Sequence, residues 1–82
     1  MAVRNTLQSY GTIAVARAVR LSLRQLYYWV NVVRVVRPRL RRHGARRFRS
    51  FSADEVATLR AVKRLMDRGY TLRAAVRASK RS

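Results

Sequence analysis

The 82-residue chain has no cysteine, which excludes disulfides and thiolate metal sites as staples for a fold near the lower size limit of a single core. It has one histidine and only three acidic residues. So few groups cannot assemble a nucleophile–base pair or a metal shell, so no catalysis, metal or cofactor is expected. The three glycines are scattered, which excludes a glycine-rich phosphate loop. No internal repeat or low-complexity linker interrupts the chain. No apolar run approaches the roughly 18 residues of a membrane span, and nothing resembles a signal peptide. One cytoplasmic domain is the expectation.

The scarcity of acids makes charge the dominant property. Twenty Lys and Arg against three Asp and Glu give a net charge of +17. Eighteen of these cations are arginine, as a GC-rich genome would favour, but codon bias does not explain the missing acids. Self-repulsion on this scale implies a polyanionic partner, nucleic acid first and an anionic membrane surface second. The cations do not form one face of a single amphipathic helix, which argues against the membrane. They are densest in Arg37–Phe51, where seven of fifteen residues are arginine around the only proline and a central glycine.

Periodicity organises the rest. Residues 1–9 are polar and unpatterned and read as a loose arm. Thr12 is the expected N-cap of a short helix whose inner face carries Ile13, Ala16 and Val19 or Arg20. Arg20-Leu21 makes a turn, and Ser22 restarts a helix over Leu23–Val30. Leu23, Leu26, Trp29 and Val30 form its buried stripe, and Arg24, Gln25, Tyr28 and Asn31 point away, with Tyr27 at the flank. Two short helices with this outward face fit a helix-turn-helix. The β-branched run Val32–Val36 predicts a strand, Pro38 its end or an edge position, His43-Gly44 a turn, and Arg47–Phe51 the return strand. In that strand Phe48 lies opposite in face to Arg47 and Arg49, and Phe48 and Phe51 are the expected anchors to the core. Ser52-Ala-Asp-Glu55 is a capping box that also sets two acids at the positive end of a helix dipole, a structural role rather than a catalytic one. Val56, Leu59, Val62, Leu65 and Met66 face inward, Gly69 stops the helix, and Thr71 caps a last short helix. The expected division is a 1–9 arm, a 10–78 domain and a 79–82 tail, and the fold is mainly α with a small β-hairpin.

Several of these words, in this order, resemble the DNA-binding domain of the MerR family of winged helix-turn-helix proteins. They are Ala16, Ser22, Arg24-Gln-Leu-Tyr-Tyr-Trp29, Pro38, Gly44, Arg49-Ser-Phe51, Ser52-Ala-Asp-Glu-Val56, Leu59, Lys63, Leu65 and Gly69-Tyr-Thr-Leu72, spread over about residues 10–77. The resemblance implies four short helices and a two-stranded wing. It also implies that the helix opened by Ser22 enters the major groove while the arginine-rich hairpin grips neighbouring phosphates or the minor groove. The chain departs from the family at four points. Arg20 stands where a glycine usually precedes the serine, the glycine after the second helix is absent, Tyr27 replaces an arginine and Phe51 a tyrosine. It also stops where a long dimerisation helix normally begins.

Double-stranded DNA is therefore the expected partner. Ser22, Arg24, Gln25, Tyr27 and Tyr28 are the recognition-helix candidates, with Arg24 suited to guanine and Gln25 to adenine. Tyr28 suits a phosphate or a thymine methyl, and Tyr27 either DNA or packing against the wing. Arg37, Arg39, Arg41, Arg42, His43, Arg46, Arg47 and Arg49 are the wing candidates for phosphates. Without a dimerisation helix, monomers would self-associate along the DNA, coating and bending it. Small excisionases act so when they steer an integrase. A small transcriptional regulator is the second reading and a basic RNA-binding protein the third.

Overall fold

The computed structural model describes residues 9–81. Residues 1–8 of the arm expected over 1–9, and Ser82, lie outside them. Strand β1 (Ser9–Tyr10) leads into helix α1 (Thr12–Val19), and helix α2 (Leu23–Tyr27) continues as a π-helical turn over Tyr28–Val33. Strands β2 (Arg39–His43) and β3 (Arg46–Ser52) precede helices α3 (Ala53–Asp67) and α4 (Leu72–Arg81). The fold is mainly helical with an antiparallel hairpin, the winged helix-turn-helix architecture expected.

The core is made where α1, α2 and α3 meet the base of the sheet. Val15, Leu26, Phe51, Leu59 and Val62 are fully buried there, with Trp29, Val30 and Ala75 around them. Phe51 is thus an anchor as expected, but Phe48 is not: it stands 47% exposed, out along the hairpin. In α1 the inner face is Val15, Ala16 and Val19, and Ile13 is 64% exposed. Both choices of face contain Ala16 and Val19. The partner elements select Val15, which no local rule could do. Leu23 shares the α2 stripe but sits in the first turn and stays exposed. The N-cap of α1 is Gly11, one residue earlier than expected.

The largest departure is at Val32–Val36. No strand forms there. The helix begun at Ser22 runs to Val33, Arg34 ends it at φ 61°, and Val35 and Val36 turn into the core. β-branching disfavours helix by at most about 0.7 kcal/mol per residue, whereas burying a valine side chain is worth about 1.5 kcal/mol or more. Continuing the Leu26–Trp29–Val30 stripe to Val33 and seating two further valines therefore outweighs local preference. The first wing strand accordingly starts after Pro38, not before it, so the missing proline N–H falls outside the ladder.

The hairpin pairs Arg39 with Ser50, Leu40 with Arg49, Arg41 with Phe48, Arg42 with Arg47 and His43 with Arg46. Its loop is therefore Gly44-Ala45, one residue beyond the expected turn. Gly44 has φ 65° at the first loop position, a conformation glycine adopts without strain. Ser9 belongs to the fold rather than to an arm: Ser9 and Tyr10 pair with Ser52 and Phe51, giving the sheet order β1-β3-β2.

The helix ends after the wing follow the sequence closely. Ser52 and Glu55 form the capping box, with the Ser52 N–H donating to Glu55 Oε1 at 2.9 Å and the Glu55 N–H to Ser52 Oγ at 3.1 Å. Gly69, at φ 110°, closes α3. Its N–H donates to the Met66 carbonyl, and the Tyr70 N–H reaches back to that of Leu65, the paired bonds of a Schellman motif. Thr71 caps α4 by accepting the Ala74 N–H at 3.1 Å. This last helix continues to Arg81, through residues expected to fray.

Candidate nucleic-acid interface

The α1–turn–α2 unit is held by the two helix ends that meet at Arg20–Ser22. Arg20 adopts φ 68°, and the Leu21 N–H donates to the Ala16 carbonyl at 2.9 Å, so Leu21 is buried and Ser22 starts the next helix at once. A left-handed arginine here does the work for which glycine is better suited.

Ser22 caps α2 reciprocally with Gln25. The Gln25 N–H donates to Ser22 Oγ at 3.1 Å, and the Ser22 N–H donates to Gln25 Oε1 at 3.1 Å. The Ser22 hydroxyl also reaches Gln25 Oε1 at 3.3 Å. Because a backbone N–H must be met by an acceptor, the Gln25 oxygen is committed inward and its NH2 group outward. Bidentate recognition of adenine needs both groups. Gln25 can offer a donor to a base edge while capped, but it can accept only by breaking the box.

Arg24 and the two tyrosines are exposed on the same helix. The tyrosines border different surfaces. Tyr27 lines a cleft shared with Ile13, Leu40 and Phe48 of α1 and the wing, edged by Arg46, Arg47 and Arg49. Tyr28, 52% exposed, lines the opposite groove against α4. Tyr27 borders the wing and, at 46% exposed, leaves its ring open to a DNA contact as well.

The wing carries an unneutralised charge. Arg42 and Arg47 face each other across the ladder, so the free hairpin contains opposed like charges. Among the described residues the ion pair present is Lys63 Nζ to Asp67 Oδ1 at 2.9 Å, on α3. All three acids of the chain lie on that helix. Arg39, Arg41, Arg42, Arg46 and Arg47 are exposed, and Arg49 is half-buried at the wing base.

At that base two residues absent from the sequence-derived set join the wing. Asn31 and Arg34 line a small pocket of about 270 Å³ together with Arg37 and Arg49. Arg34 arrives there because it ends the π-helical turn, a feature hidden by the strand-like valines around it. Its one signal in sequence was the missing glycine after the second helix. Three guanidinium-bearing residues and an amide around one opening suit a phosphate oxygen cluster. No group of His, Cys, Asp and Glu among the described residues could hold a metal ion, and no described helix is long and apolar enough to cross a membrane.

The family model for the MerR HTH family regulatory protein matches residues 11–81. No curated protein matches the chain.

Proposed function

The chain belongs to the MerR helix-turn-helix family of regulatory proteins, and from that premise we propose that it binds double-stranded DNA with α2 in the major groove and the β2–β3 wing on flanking phosphates. The supporting observation is the charge asymmetry: every acid is on α3, while α1, α2 and the wing carry arginine without a counter-ion partner. Phosphates supply those counter-charges, and release of condensed cations drives the binding. Arg24 is the leading base reader, through the O6 and N7 of guanine, and Gln25 donates a single hydrogen bond from its free NH2. Tyr28 contacts a phosphate or a thymine methyl. Arg37, Arg39, Arg41, Arg42, His43, Arg46, Arg47 and Arg49 form the phosphate grip, joined by Arg34.

This balance of few base readers against many phosphate partners favours an architectural role. Such a protein gains more by bending DNA around its cations than by reading many bases. We therefore place it first as a DNA-bending factor of the excisionase kind, loading as adjacent monomers beside an integrase. A promoter-binding transcriptional regulator is the second reading, favoured by the regulatory description of the family it matches. Footprinting of the DNA flanking its own gene, with a gel-shift ladder and a bend assay, separates the two. Stepwise loading with strong bending at an integrase attachment site supports the first, and protection of a promoter without such a site supports the second. Equal affinity for structured RNA and duplex DNA would defeat both.

A further inference from the structure

We infer that the groove between the π-helical turn and α4 is a docking site for an acidic amphipathic helix of another protein. The groove holds about 660 Å³. Its floor is apolar, made by Val32 and Val33 on one side and Leu72 and Val76 on the other. Its rim is cationic, made by Arg73, Arg77 and Lys80. Those three sit at i, i+4 and i+7 on α4, so they form one edge about 10 Å long. Tyr28 completes the lining.

The floor is left open at a place where folding alone gives no reason for it. Val32 is 64% exposed although a single-domain core of this size gains from every valine it can cover. The π-helical geometry of Tyr28–Val33 places it there, and such turns recur at functional sites. Apolar floor and one-signed rim together specify a ligand with an apolar stripe flanked by carboxylates, the complement read by helix-in-groove recognition.

Charge decides among the possible occupants. No acid lines the groove, and the chain's three acids are on α3, where Glu55 is committed to the cap and Asp67 to Lys63. A second copy would bring another +17 and no acidic stripe. A duplex would supply phosphates to the rim and nothing apolar to the floor. An acidic amphipathic segment satisfies both.

The test uses the full chain and a fluorescein-labelled peptide of about four helical turns, with leucines at i, i+3, i+4 and i+7 spacing and flanking glutamates. A scrambled peptide of the same composition is the control. Anisotropy should show the ordered peptide binding about tenfold or more tighter than the scrambled one. Amide shifts in an NMR titration should concentrate on Val32, Val33, Leu72 and Val76. Val32→Glu, at an exposed site, and Arg77→Glu should each weaken the peptide about tenfold, with Val32→Glu keeping its melting temperature and duplex affinity. Equal binding of the scrambled peptide would reduce the effect to charge attraction and overturn the inference. So would protection of Val32, Val33, Leu72 and Val76 by duplex DNA, or a concentration-dependent dimer abolished by Val32→Glu. The inference stands apart from the DNA reading: a preparation that binds the peptide but no duplex sinks only the latter.

Discussion

Ser22 and Gln25 hold one another across the first turn of α2, each backbone N–H donating to the other's side-chain oxygen at 3.1 Å. The same geometry recurs between Ser52 and Glu55 at the start of α3, far along the chain from the candidate base readers. The two caps therefore form a matched pair, one inside the proposed interface and one outside it. Ser22→Ala and Ser52→Ala should each lower unfolding free energy by about 1 kcal/mol in urea titrations. Only Ser22→Ala should also weaken duplex DNA binding when both are compared well below their melting temperatures. Equal losses of affinity would remove α2 from the interface.

Arg20 and Arg34 occupy the left-handed region at φ 68° and 61°. Non-glycine residues carry a penalty of about 1 kcal/mol there. Arg20→Gly and Arg34→Gly should each raise unfolding free energy by a sizeable part of that amount. Arg34→Gly should at the same time lower DNA affinity, because the pocket it shares with Arg37 and Arg49 loses a cation. A variant that gains stability and keeps full affinity would exclude Arg34 from the phosphate contacts.

Ionic strength reports on the wing. If about half of its arginines reach phosphates, log K should fall with log salt at a slope of about −3 to −5. Arg47→Ala should flatten that slope by about one and weaken all duplexes alike. Arg24→Ala should instead compress the difference between preferred and random sequence. A salt titration on both duplexes with both variants separates the roles, and the reverse assignment would contradict the docking proposed above.

The valine run offers a test of the fold itself. Val35 is buried and Val32 exposed. Val35→Ala should cost about 2 kcal/mol from lost burial and the cavity left behind, whereas Val32→Ala should stay within about 0.5 kcal/mol. The neighbours Val35 and Val36 are both buried, a pattern that a half-buried strand, with its alternating faces, does not produce.

Where a local hydrogen bond sets the structure, the sequence alone determined it. Ser22, Ser52 and Thr71 cap helices as their neighbours require, and Gly69 ends α3, because the interacting groups are at most five residues apart and their geometry is nearly context-free. The cationic character of the wing was legible for the same reason: no acid lies near enough in sequence to neutralise it. Only the tertiary structure decided which residues those local elements would bury. It chose Val15 over Ile13, left Phe48 outside while Phe51 went in, and carried Val32 and Val33 into a helix. Burial of a side chain by distant elements is worth more than the propensity differences that local sequence encodes, so valines that favour a strand in isolation became the end of a helix. That choice moved the wing beyond Pro38, brought Arg34 to its base, and opened the groove against α4.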